Sequence, residues 1–228
     1  MVQRASRDER ICGAALVGSA ATASEDEFSD IDLALRLSPS ASLHSVVDDW
    51  TEWMRSEQSV VTSMDVQSDG ALYRVFLLAS TLQVDLSFWE HDQYGGNGRD
   101  AFVVLFGEEG VTRSAGEFRA SSALDMAWLY ALHVRSALAR GRVWQALYMI
   151  NGLRDQLVAV WSQRAGENPS QARGIDRLAP RQLHRLEATV PFDTTTASLR
   201  AAFAAEIELL VQEIPELTAV LTALLADR

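Results

Sequence analysis

Lysine is absent from this 228-residue chain, and all 20 basic side chains are arginine. Phosphate bound by such a chain must be neutralised by guanidinium forks, backbone N–H groups or a metal ion. The 31 acids outnumber the arginines and leave a formal charge of −11, which disfavours a DNA or RNA substrate. Cysteine is nearly absent too. Cys12 stands alone, so no internal disulfide forms, and its place in an apolar run suits a small buried hydrophobe. No uncharged apolar run is long enough to span a bilayer. The first ten residues lack the apolar core of a signal peptide. No membrane partner is therefore expected, and the cytoplasm is the expected compartment. Disorder is excluded as well, because 48 % of the residues are hydrophobic and a sizeable core is available.

What is present concentrates in the first ninety residues. Ile11 to Val17 is short, apolar and followed by Gly18, as a buried strand entering a turn would be. Gly18 has no Cβ, so its backbone can approach a ligand closely. Ser19 adds a hydroxyl and a backbone N–H suited to a phosphate oxygen. Ten residues later comes Ser29-Asp30-Ile31-Asp32-Leu33, opening a second strand that runs to Leu37. Side chains alternate along a strand, so Ile31, Leu33, Leu35 and Leu37 share the core face. Asp30, Asp32 and Ala34 share the other. Two carboxylates on one face repel and raise each other's pKa, and a divalent cation removes the conflict. Mg²⁺ is commonly held by one or two carboxylates together with substrate phosphates. The stretch Leu82 to Phe88 repeats the pattern. Val84, Leu86 and Phe88 face the core, and Asp85 and Ser87 face away. If the two strands are neighbours, all three acids converge.

This Gly-Ser, ten-residue gap and Asp-x-Asp, with a third acid on a later strand, resembles the nucleotidyltransferases related to DNA polymerase beta. More narrowly, the chain is similar to the small bacterial nucleotidyltransferases that modify aminoglycosides or lincosamides, an antibiotic-resistance activity. The resemblance implies an α+β fold: a mixed β-sheet flanked by helices, followed by a C-terminal helical bundle. It implies that Gly18 and Ser19, helped by Ser29, hold the triphosphate. Asp30 and Asp32 would bind Mg²⁺, and Asp85 would be a third metal ligand, the general base, or both. The implied reaction moves a nucleotidyl group, with ATP the expected donor, to a hydroxyl of a small-molecule acceptor. The alternatives are a toxin–antitoxin-type enzyme modifying a protein or RNA, and a catalytically silent nucleotide-binding protein. Either a monomer or a homodimer is compatible. One departure stands out: many relatives carry Arg-Gly shortly after Gly-Ser, and Thr22-Ala23 stands here.

The remaining pattern divides the chain at residue 115 into a catalytic domain, 1–115, and a helical domain, 116–228. In the first, a short helix is expected over Arg4 to Arg10 and another over Leu43 to Ser56, with Ser42 as N-cap. A strand is expected over Val60 to Val66, a hairpin over Leu72 to Leu78 and Leu82 to Trp89, and a last strand over Ala101 to Phe106. Gln93 to Gly98 is a Gly-rich connector. In the second, helices are expected over Ala123 to Arg140, Val143 to Arg164, Pro180 to Glu187, and on both sides of Pro215. Asp125, Asp155, Arg135 and Arg154 are candidates for a base or phosphate contact, although ion pairing within the bundle explains them as well. Trp128, Tyr130, Trp144, Tyr148 and Trp161 fall at helical spacings that suit a core. His44, His91 and His184 show no metal-ligand spacing.

Overall fold

The computed structural model describes residues 1–68, 70–96, 101–111 and 118–226. The chain divides into two units, Met1–Gly116 and Glu117–Arg228. The boundary expected after residue 115 falls within 112–117, outside the described residues.

In the first unit the elements run α1 (Val2–Ala5), β1 (Ile11–Leu16), α2 (Gly18–Ala21), β2 (Ile31–Leu37), α3 (Leu43–Glu57), β3 (Val60–Ser68), β4 (Ala71–Leu78), β5 (Gln83–Trp89) and β6 (Val103–Phe106). The strands form one sheet in the order β3-β4-β5-β2-β1-β6. Only β2 and β5 are paired in parallel among the described strands. The α+β class expected from the sequence is therefore observed.

Strand alternation gives the sheet two different faces. Leu33, Leu35, Leu37, Val84, Leu86, Phe88 and Phe76 form one face and pack with Val46, Val47, Trp50 and Met54 of α3. Val46, Trp50 and Met54 recur at the i, i+4, i+8 spacing that lines one side of a helix, with Val47 beside them. Arg74 lies on this face, where it pairs with Asp65 and donates to Thr51 Oγ1 at 2.7 Å. The second face carries a smaller cluster of Ala15, Ala34, Ala71, Trp89 and Tyr94, and it also carries the acids.

The first helix is shorter than expected and ends at Ala5. Asp8 explains the stop. Its carboxylate accepts from the Arg10 backbone N–H (3.1 Å), from Arg10 Nε (2.9 Å) and from Trp50 Nε1 (3.1 Å), which turns the chain out of the helix and into β1. Those donors, the Arg10 side chain first, hold the Asp8 carboxyl down at about 2. Ser42 occupies the N-cap position of α3, but its side chain makes no capping hydrogen bond.

The second unit is helical: α4 (Ala120–Ala139), α5 (Val143–Arg164), α6 (Pro180–Glu187), α7 (Thr196–Glu213) and α8 (Thr218–Thr222). Ala123, Ala127 and Ala131 of α4 are buried at four-residue intervals, and Ile150, Leu153 and Leu157 of α5 are buried in the same core. At Gly152 an added Cβ would lie 3.0 Å from the Tyr130 ring, so α5 meets α4 closely there. Among the described residues no helix is long and apolar enough to cross a membrane.

Candidate functional site

Register brings the three acids together. In the parallel β2–β5 pair, Asp32 stands directly opposite Asp85. Asp30 immediately precedes β2, two residues from Asp32 and on the same face. One carboxylate oxygen from each of Asp30, Asp32 and Asp85 lies within 4.8 Å of the other two, and all three residues are half-buried. Octahedral coordination at 2.0–2.1 Å sets ligand oxygens about 2.9 Å apart when adjacent and about 4.1 Å apart when opposite. Oxygens within 4.8 Å of one another could therefore hold a divalent cation after a small adjustment of side chains.

The electrostatics agree with a site short of positive charge. Burial, with Asp30 close by, pushes the Asp85 carboxyl above its usual range. Gln83 opposes that shift by donating from Nε2 to both Asp85 oxygens, at 3.0 and 3.1 Å. Sequence reasoning missed Gln83, although it lies two residues before Asp85 and so on the same face. Arg36 was missed on the same grounds, being four residues after Asp32. Its Nε donates to the His91 carbonyl at 3.0 Å, and its guanidinium lies over the Tyr94 ring. His91 contributes that carbonyl, and its ring pairs with Asp92 (2.9 Å).

The Gly-Ser turn lies against the acids. Val17 N–H donates to the Asp32 carbonyl (3.3 Å), and the single-turn α2 begins at Gly18. Gly18 has φ +64°, and a Cβ there would stand 2.3 Å from Asp32 Oδ2. Only glycine suits both the backbone and the space. The Ser19 hydroxyl is buried and has no hydrogen-bond partner among the described residues. A buried hydroxyl without a partner is costly unless a ligand supplies one.

Thr22-Ala23 shapes the rest of the turn. Thr22 Oγ1 donates to the Ser19 carbonyl at 3.0 Å, and Ala23 has φ +52°. The backbone thus keeps a left-handed residue where the resemblance implies glycine, at a cost of about 1–2 kcal/mol. Ser29 forms a local turn ahead of β2. Its hydroxyl accepts from Asp26 N–H (2.9 Å) and donates to Asp26 Oδ1 (3.2 Å), bracing the turn that delivers Asp30. Residues 97 and 98 of the Gly-rich stretch lie outside the described residues.

Two of the helical candidates, Asp125 and Arg154, have local hydrogen-bond partners. Asp125 accepts from Trp128 Nε1 (3.2 Å). Arg154 donates to the Thr189 carbonyl (2.8 Å) and to Asn151. Arg135 lines a cleft of the helical unit with Arg140, Arg200 and Phe203. Trp161 is core, with Nε1 donating to Glu213 (2.8 Å). Trp144 and Tyr148, one turn apart on α5, are instead largely exposed.

No protein-family model matches the chain, and no curated protein sequence matches it. Among solved structures it is similar to an aminoglycoside 6-adenyltransferase from Bacillus subtilis, at 13 % identity over 100 % of this chain and 89 % of that one, with a TM-score of 0.39. It is also similar to a nucleotidyltransferase-like protein from Exiguobacterium sibiricum, at 14 % identity over 97 % and 75 % of the two chains, with a TM-score of 0.42. Likenesses this distant leave the functional reading to rest on the acids and the turn.

Proposed function

We propose that the protein is a nucleotidyltransferase that moves a nucleotidyl group, AMP from ATP, to a hydroxyl of a small-molecule acceptor with Mg²⁺ bound at Asp30, Asp32 and Asp85. The observation that carries this reading is the convergence of three carboxylates against a glycine turn whose serine hydroxyl lacks a partner. A bound divalent cation would supply charge neutralisation at the triphosphate. The chain's own groups do the rest. The Gly18 backbone and the Ser19 hydroxyl and N–H receive phosphate oxygens. Asp30 and Asp32 would hold that cation beside the phosphates. Asp85, opposite Asp32 on the neighbouring strand, takes the acceptor's proton. The acceptor oxygen forms a bond to the α-phosphorus, the bond to the bridging oxygen breaks, and pyrophosphate leaves with that electron pair.

A pyrophosphate-release screen of several triphosphates with Mg²⁺ against aminoglycosides, lincosamides and simple sugars tests the reading. Release by the parent is expected. Asp32→Asn and Asp85→Asn should each lose at least about a thousandfold, corresponding to roughly 4 kcal/mol of transition-state stabilisation, with unchanged circular dichroism. Near-normal turnover by either variant would sink the assignment.

A further inference from the structure

The sheet register extends the acid row into an uncharged wall. Asp32 opposes Asp85, Asp85 opposes Val75, and Val75 opposes Met64, so four side chains on one face cross β2, β5, β4 and β3 in line. The flanking rows on that face pair Gln83 with Leu77 and Leu77 with Thr62 on one side, and Ser87 with Tyr73 and Tyr73 with Val66 on the other. The charged side chains of β3 and β4, Asp65 and Arg74, pair with each other on the opposite face. Met64, Leu77 and Val66 are 60 %, 42 % and 41 % exposed. Strands lie 4.7–4.9 Å apart, so the wall begins one strand from Asp85 and reaches about 10 Å from it.

Strand order also separates the two substrates. The Gly18–Ser19 turn follows β1, on the far side of β2 from β5. Phosphates gripped there leave Asp85, and the wall beyond it, for the acceptor. We infer that the acceptor is an amphiphile, with its hydroxyl at Asp85 and a neutral apolar body lying over Val75, Leu77, Met64 and Val66, rather than a polycationic amino sugar. The overall charge of −11 attracts cations from a distance, but that field is screened beyond about 8–10 Å. At contact the wall offers an ammonium group no carboxylate and takes away its water. This inference rests on the nucleotidyltransferase reading for the assignment of sides.

Calorimetric titration of the full chain with methyl and octyl β-glucoside, below the micelle concentration and with Mg²⁺ and a non-hydrolysable ATP analogue present, tests it. One-sided cover by the wall should give about twofold per methylene, half of what full burial gives, and octyl should bind at least about tenfold more tightly than methyl. The double variant Met64→Ser, Leu77→Ser changes two exposed side chains and should remove the octyl advantage while leaving analogue binding unchanged. Equal binding of the two glucosides overturns the inference, and so does an octyl advantage that survives in the variant. A polycationic amino sugar binding more tightly than octyl glucoside overturns it too. Failure of the analogue to bind in an Asp32-dependent way would instead strike the nucleotidyltransferase reading. The chain-length comparison is read separately, with and without nucleotide.

Discussion

At the scale of single residues the site depends on contacts that leave no room for substitution. Gly18 is the sharpest case, because φ +64° and an approach of 2.3 Å to Asp32 Oδ2 both exclude a Cβ. Gly18→Ala must therefore shift the turn, displace the Asp32 carboxylate, or both. The expected outcome is a loss of about a hundredfold or more in nucleotidyl transfer with the melting temperature lowered by only a few degrees, since the turn is at the surface. Steady-state pyrophosphate release and thermal denaturation on the same sample check this. Much of this level was legible in the sequence. Asp30, Asp32 and Asp85 were found from residue type and alternation, and Gly18 from the end of an apolar run. Gln83 and Arg36 were equally available by counting twos along their strands. The turn formed by Ser29 with Asp26 was not, because a serine beside an aspartate suits a phosphate contact and a local turn equally well.

At the scale of elements the sequence pattern located most strands and helices because their apolar periods are clean. The helix over Val143–Arg164 and the helix over Pro180–Glu187 were found to the residue. The first helix was drawn too far because Asp8 turns the chain through a local contact with Arg10, which apolar periodicity does not register, and through a tertiary contact with Trp50, which no local window contains. Element α7 carries a feature that periodicity alone hides. Glu206 is fully buried among apolar residues, and both its oxygens lack hydrogen-bond partners among the described residues. Burial raises its carboxyl well above the usual range; Arg154 of α5 opposes the shift and Asp155 adds to it. In the unfolded chain Glu206 ionises near 4.5, so above that pH the folded state binds more protons than the unfolded state. Stability must then fall as pH rises from about 4.5 until the folded carboxyl itself ionises. Glu206→Gln removes this dependence. Urea denaturation should find parent and variant close at pH 4 and the variant increasingly more stable toward pH 8. A gap that stays constant across that range would show that Glu206 does not carry the proton.

At the scale of the whole molecule, the proposed function depends on one pairing that the sequence does not display. Asp30 and Asp32, at the start of β2, and Asp85, on β5, are separated by α3 and a hairpin, and nothing local says that β2 and β5 lie side by side or run parallel. Alternation showed which side chains share a face; only the register showed that Asp32 and Asp85 share a row. The same register carries the apolar wall beyond Asp85, which the overall charge of −11 would not have suggested. The absence of lysine acquires its meaning here too. Under the proposed function, a site with three acids and a glycine turn, in a chain whose basic side chains are all arginine, leaves phosphate neutralisation to a bound cation, backbone amides and guanidinium forks. The most direct measurement is therefore a Mn²⁺ titration followed by electron paramagnetic resonance, with and without ATP, on the parent and on Asp30→Asn, Asp32→Asn and Asp85→Asn. The account predicts Mn²⁺ bound by the parent and tightened by ATP, with binding weakened at least about tenfold in each variant. Binding that is the same in the parent and all three variants would contradict it.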